Sequence, residues 1–222
     1  RLAVDSTFAS PLGCHPLALG ADYVMHSATK YIGGHGDAVG GLVCGSAELI
    51  RPLVSEAIVH YGGVMSPFNA WLITRGAATL PLRMKAHQET ALALARWLDG
   101  DPRVARVNYP GLQSHPQHEL ARRQMTNFSG MMSFRLKGTE ADGLAVAERM
   151  VRDLGIIHYA VSLGHHRSLI CWMPTEAMME NSFRLEGAQA AAYRDWAGPG
   201  IFRLSVGLED ADDLIRDLDG VL

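Results

Sequence analysis

His26-Ser27-Ala28-Thr29-Lys30-Tyr31-Ile32-Gly33-Gly34-His35-Gly36-Asp37 is the stretch on which the reading of this chain turns. A lysine stands there beside two hydroxyl side chains and ahead of a run of glycines, in a protein otherwise sparing with lysine. Burial of such an amine disfavours its charged form and frees the lone pair to attack a carbonyl. Lys30 is therefore a candidate for an imine bond. Upstream, Leu2-Ala3-Val4 reads as the end of a buried strand with Asp5 emerging from its tip. Gly20-Ala21-Asp22 then turns into a second short strand, Tyr23-Val24-Met25, and Pro11 to Gly20 has the length of a short crossover. Val39 to Cys44 reads as a third strand, closed by Gly45. Ligands of open α/β sheets bind beyond the carboxyl ends of strands, where both Asp5 and the segment leading to Lys30 lie.

Pyridoxal 5′-phosphate is the carbonyl cofactor that most often uses a lysine in this way, and it adds two demands: an anion site for its phosphate and an acid opposite its pyridine nitrogen. Ser27 and Thr29 supply hydroxyls beside the lysine, and Asp5 supplies the carboxylate. An opposite charge at short range would keep the ring nitrogen protonated. Taken singly, Lys30 reads as a surface lysine and Asp5 as a cap. Their combination is what points to a cofactor.

At this point the chain resembles the Cys/Met-metabolism family of pyridoxal-phosphate enzymes. The matching blocks run in order: Val4 to Pro11, Leu19 to Asp22, His26 to Asp37, Ala160-Val161-Ser162-Leu163-Gly164, and Arg203-Leu204-Ser205-Val206-Gly207-Leu208-Glu209-Asp210. The resemblance places the family's cofactor lysine on Lys30, its pyridine-nitrogen partner on Asp5 and its phosphate hydroxyls on Ser27 and Thr29. It places the substrate carboxylate on Arg203, with Ser162 beside it; a guanidinium suits that task because its planar fork gives bidentate hydrogen bonds. Without the resemblance, an arginine between Phe202 and Leu204 reads as half of a structural ion pair.

The fold implied is α/β: the C-terminal part of an aspartate-aminotransferase-like (fold type I) large domain, followed by a smaller α/β domain. Residues 1–78 are expected to belong to the cofactor-binding domain and 79–100 to a connecting long helix, whose periodicity runs from about Ala77 to Leu98 and stops at Gly100-Asp101-Pro102. Residues 101–222 form the small domain, with strands at Val104–Val107, Met131–Leu136 and Ile201–Val206 and helices at Glu140–Leu154 and Ala211–Leu218. Tyr109 to Gln124 reads as a loop with a short helix, and Tyr193 to Gly200 as a loop without an assigned role. Relatives carry a further stretch, with a glycine-rich phosphate loop, ahead of the position of Leu2. The chain is thus expected to be a C-terminal part, inactive alone.

A chain with 48% hydrophobic and 19% charged residues and a formal net charge of −3 has no basic surplus for nucleic acid. Neither a membrane span nor a signal peptide is visible, so cytoplasm is the default compartment. Cys14, Cys44 and Cys171 lack metal spacing, and His115 with His118 and His165 with His166 lack the companions of a zinc site; no metal is expected. The resemblance also implies self-association into homodimers and homotetramers.

For the reaction, the resemblance implies an amino-acid substrate and Lys30 as the base that shuttles protons along its carbon chain. γ-Elimination and γ-replacement both follow from that chemistry. Cystathionine-handling members carry Glu where this chain has Val161, and an apolar wall there suits methionine. The expectation is a carbon–sulfur lyase acting by γ-elimination on methionine or a related γ-substituted amino acid. The alternatives are a γ-replacement transferase, of the cystathionine γ-synthase or O-acylhomoserine sulfhydrylase kind, and an inactive remnant that keeps an oligomerisation surface. After Ser168-Leu169-Ile170 the chain departs from its relatives with Cys171-Trp172-Met173, residues that could narrow an apolar pocket. His165 and His166 follow the Ser162 block closely enough to contact a substrate side chain.

Overall fold

A computed structural model describes residues 1–222 as two β-sheets joined through one long helix. The first sheet is small. β1 (Ala3–Asp5) pairs in parallel with β2 (Tyr23–Ser27), Asp5 opposite Met25, and β3 (Gly41–Gly45) runs antiparallel to β2. Between β1 and β2 the crossover holds α1 (Ser10–Gly13) and a tight turn at Pro16–Leu19, closed by Gly20 at φ +99°, a backbone conformation open to glycine. Asp5 and Ser27 each end a strand, which is how the chain brings the acid and the Lys30 turn to one sheet edge.

After β3 come α2 (Ala47–Ser55), capped by the Ser46 side chain on the Leu49 N–H, and α3 (Pro67–Ala77), which opens on a proline that needs no N–H partner. Then α4 (Leu80–Gly100) runs between the sheets. Its buried residues Leu80, Met84, His87, Ala91, Leu94, Ala95 and Leu98 recur at three- and four-residue steps, one continuous stripe. The sequence placed this helix from Ala77; the chain instead turns between Ala77 and Leu80, because Pro81 in the first turn fixes a new helix start.

The second sheet has five strands in the order β4-β5-β8-β7-β6. They are β4 (Val104–Asn108), β5 (Met131–Leu136), β6 (His158–Tyr159), β7 (Leu169–Pro174) and β8 (Gly200–Ser205), all antiparallel neighbours except the parallel β6–β7 pair. The helices interleaved with them are α5 (His118–Gln124), α6 (Glu140–Asp153), α7 (Thr175–Met178), α8 (Gly187–Ala197) and α9 (Ala211–Asp219). α6 begins with a reciprocal cap between Thr139 and Asp142. α8 takes up most of the Tyr193–Gly200 stretch expected to be loop, leaving only Gly198 and Pro199 between it and β8. The main core lies between the second sheet, α4, α6 and α9, where Phe134 and Phe202 stack at 5.3 Å. A smaller apolar cluster gathers Ala28, Tyr31, Ile32, Ile73, Met84 and Met131 beneath the lysine turn.

Two polar side chains of α4 fasten the site to both sheets. Arg83, buried, donates to the carbonyls of Tyr31 (2.7 Å), Ile32 (3.2 Å) and Gly76 (2.8 Å) and to the Thr79 hydroxyl (3.0 Å). His87 Nδ1 lies 2.8 Å from the Val206 carbonyl and 3.1 Å from that of Gly207; because both partners only accept, Nδ1 carries the proton.

Burial pushes the His87 pKa down to about 4. The unfolded chain therefore binds a proton that the folded chain refuses between about pH 6.5 and 4. The stabilisation is complete above pH 6.5 and is lost as pH falls through that window, by roughly 3 kcal/mol in all. Urea unfolding of the protein and of His87→Gln at pH 7 and pH 4 is expected to show the larger loss in the unsubstituted protein. An equal loss in both would contradict this.

Candidate active site

The tips of β1 and β2 are laced together before any functional group is placed. The Ser6 N–H donates to the Met25 carbonyl at 2.9 Å, and the Ser27 N–H donates to the Thr7 hydroxyl at 2.8 Å. Asp5 Oδ1 accepts the Thr7 N–H at 2.9 Å. Hydrogen bonds from the Thr7 side chain and backbone hold the Asp5 carboxyl below its usual range, and nearby His26 adds to the effect. His26 itself is buried, its pKa pushed down by desolvation, and its Nδ1 has no protein partner.

Lys30 sits in the turn that leaves β2, its N–H on the Ser27 carbonyl at 3.1 Å and its own carbonyl held by the Gly34 N–H at 2.7 Å. Its Nζ donates to Ser162 Oγ at 2.8 Å. Burial lowers the amine's pKa, and the positive charge of Arg203 lowers it further. Arg203 projects from β8, opposite Ser133 of β5 and Cys171 of β7, and donates from Nη2 to the Ser162 carbonyl at 3.1 Å. Ser162 is thus gripped at both ends, and it holds φ at +92°, a conformation that strains a residue with a Cβ. Gly164, at φ +72°, brings this segment against the Tyr31 backbone, where any side chain would collide.

Asp5 and Arg203 line one cleft of about 600 Å³. Phe8, Met125, Phe128, Met131, Met132 and Met173 make much of its wall, and Asp5 is the only carboxylate lining it. Lys30 does not line it; it is linked to the cleft through Ser162, whose carbonyl Arg203 holds. The structure therefore brings Lys30, Ser162 and Arg203 into one hydrogen-bonded string and sets Asp5 across the cleft.

Other residues named from the sequence are placed differently. The Ser27 side chain is half-buried at the strand end, but the Thr29 hydroxyl is engaged locally, accepting the Gly40 N–H at 3.0 Å and donating to the Gly40 carbonyl at 3.3 Å. Val161 is 75% exposed and is not part of the cleft wall, so the apolar lining comes from methionines instead. Of the departing pair, Met173 faces the cleft, whereas the Trp172 ring packs 4.6 Å from Phe202. Thr7 and the contact of His165 Nε2 with Ser162 Oγ at 3.2 Å were not singled out from the sequence. Thr7 lies inside a matching block, but its role is visible only once β1 and β2 are paired.

The family model described as "Cys/Met metabolism PLP-dependent enzyme" matches residues 1–222. A canavanine gamma-lyase of Rhizobium leguminosarum bv. trifolii is 45% identical over 226 residues, covering 100% of this chain and 53% of that protein. An O-succinylhomoserine sulfhydrylase of Pseudomonas aeruginosa is 43% identical over 98% of this chain and 51% of its own length. Among solved structures, cystathionine gamma synthase from Xanthomonas oryzae pv. oryzae, in complex with aminoacrylate and cysteine, superposes with a TM-score of 0.83 at 44% identity, covering 98% of this chain and 54% of that one. The chain spans about half the length of the relatives it matches. With its α/β fold of a fold type I fragment, the chain belongs to the family of Cys/Met-metabolism enzymes that depend on pyridoxal 5′-phosphate.

Proposed function

We propose that these residues form the lysine-bearing part of an active site that removes the γ substituent of an amino acid, methionine or a related compound, with pyridoxal 5′-phosphate. The observation that carries this reading is the string Lys30 Nζ–Ser162–Arg203 beside an apolar cleft whose one carboxylate is Asp5. The donor set fits the cofactor: an amine with a lowered pKa, an ionised acid at a strand tip, and the Ser27 hydroxyl beside the lysine turn. Lys30 would hold the aldehyde carbon, Asp5 the ring nitrogen, and Ser27 with Thr29 the phosphate. For Thr29 this requires its hydroxyl to give up the bond to the Gly40 carbonyl.

When bound, the cofactor supplies an electron sink for negative charge on the substrate's α carbon. The residues do the rest. Arg203 takes the substrate carboxylate in its fork, which fixes the α carbon relative to Lys30. Lys30, partly desolvated and beside a second cation, gives up its proton more readily than a free lysine and serves as the base that moves protons along the substrate chain. Asp5, kept ionised by Thr7, holds positive charge at the far end of the ring. Met131, Met132 and Met173 present flexible apolar surface for a thioether tail.

γ-Replacement is the second reading, favoured by the sulfhydrylase likeness. Further proposals accompany the family assignment: a division into residues 1–78, 79–100 and 101–222, self-association through shared sites, and a cytoplasmic location. No helix is long and apolar enough to cross a membrane.

Three measurements test this. With pyridoxal 5′-phosphate, the product of the complete gene is expected to be yellow and Lys30→Ala colourless; a yellow Lys30→Ala protein overturns the cofactor assignment. Methionine alone should yield a 2-oxo acid and a thiol, whereas consumption of an acylated homoserine only when a thiol is supplied would establish replacement instead. Arg203→Lys should raise KM for the amino acid roughly tenfold or more while leaving the colour, since it loses the bidentate grip and not the cofactor. An unchanged KM removes Arg203 from the site.

A further inference from the structure

Ser162 Oγ lies between two nitrogens, Lys30 Nζ at 2.8 Å and His165 Nε2 at 3.2 Å. A lysine ammonium can only donate, so the serine oxygen accepts from it and its own proton is free to go to Nε2 whenever the imidazole is neutral with its proton on Nδ1. Burial, then the charges of Lys30 and His166, lower the His165 pKa below its usual value, against an opposing pull from Asp37. The neutral ring with its proton on Nδ1 presents Nε2 to the serine as an acceptor. It is also fixed in place: a methyl group added at Gly36 would fall 2.7 Å from its Cε1, and the adjacent His166 N–H donates to the Gly34 carbonyl at 3.1 Å. The charged or titratable groups around this string are Lys30, Asp37, His166 and Arg203, with the His35 ring 6.0 Å from that of His166.

We propose that His165 is a positioning residue for Lys30: it fixes the Ser162 hydroxyl and, through it, takes up the proton that the lysine must lose before its nitrogen can bond to a carbonyl carbon. The transfer balances. One N–H bond of the Lys30 ammonium breaks as Ser162 Oγ gains that proton, and the original Ser162 O–H proton passes to His165 Nε2. The products are a neutral amine, an intact serine and an imidazolium, with the net charge unchanged; the imidazolium then returns its proton to water. His166 has no such part, since its Nδ1 is buried without a partner and it makes no contact with the amine. The inference rests on the reading of Lys30 as the reactive amine and deepens it.

The test follows the rate at which pyridoxal 5′-phosphate adds to Lys30 in the cofactor-stripped product of the complete gene, at low buffer concentration. Borohydride trapping and peptide mass spectrometry report Lys30 beside the exposed Lys85 and Lys137, which serve as internal references. His165→Ala and His165→Gln are both expected to slow addition at Lys30 on the order of 100-fold, the lower range for a positioned base, with the references unchanged. Imidazole in solution should restore His165→Ala at Lys30 alone. The unsubstituted protein should show an inflection below pH 6.5 at Lys30 that both variants lack. Gln keeps an acceptor without a proton-binding site, so a Gln variant at full rate overturns the proton uptake, as does a missing inflection. A Lys30 that outpaces the references yet ignores both substitutions overturns only the role of His165. A Lys30 no faster than Lys85 and Lys137 in the unsubstituted protein overturns the lysine assignment itself, and this inference with it.

Discussion

A buried guanidinium without a carboxylate partner holds the site together. Arg83 reaches from α4 to three carbonyls and a hydroxyl, two of those carbonyls belonging to the turn directly after Lys30. Desolvation lowers its pKa, but an arginine stays charged in such a setting, and the carbonyl dipoles take the place of a counter-ion. The glycines downstream of Lys30 follow from this. Gly34 holds φ at +74° and has the Arg83 guanidinium where its side chain would be, while Gly76 of α3 meets the Gly33 carbonyl with no room for a Cβ. These glycines are thus required by close backbone approach. Removing the charge at Arg83 would leave buried carbonyls unpaired on the loop that aims the lysine.

His87, one turn further along α4, ties the same helix to the end of β8. Tyr31 completes the bridge: fully buried, it meets His87 edge to face at 5.2 Å and accepts the Gly130 N–H at its hydroxyl. The lysine of the first sheet and the arginine of the second are thereby held by one helix, and the Lys30–Ser162–Arg203 string depends on a loop only at Ser162. Two cations pointed at one serine repel, and the effect adds to burial in lowering the pKa of the lysine. A substrate carboxylate placed on Arg203 would relieve part of that repulsion, which couples the arrival of substrate to the protonation of the amine.

What could be read from the sequence is what lies in short stretches. The tips of β1 and β2 and the turn between Ser27 and Gly34 are local, and their apolar runs and turn residues are enough to place Asp5 and Lys30 at a sheet edge. The strands expected at 104–107, 131–136 and 201–206 and the helices expected at 140–154 and 211–218 are found within one residue at each end, because each combines periodicity with a clear stop. α8 was not: its run of Ala188 to Ala192 has weak amphipathic contrast and ends in Gly198-Pro199, which reads as loop. Nor could the sequence show that Val161 faces outward. Val161 stands just before Ser162, whose positive φ is a tertiary constraint with no local sign.

The strain at Ser162 shows how the two parts of the site depend on each other. A left-handed serine costs on the order of 1 kcal/mol or more, and it persists only where the surroundings over-determine it. Here they do, through Arg203 on its carbonyl, Lys30 and His165 on its hydroxyl, and the Gly164 N–H on Ser205 Oγ at 2.9 Å. These contacts come from the turn after β2, from β8 and from the loop after β6 itself, so the conformation exists only when all three are in place. The hydroxyl is consequently held by the whole fold between the Lys30 and His165 nitrogens, and the geometry of the lysine depends on packing in both sheets.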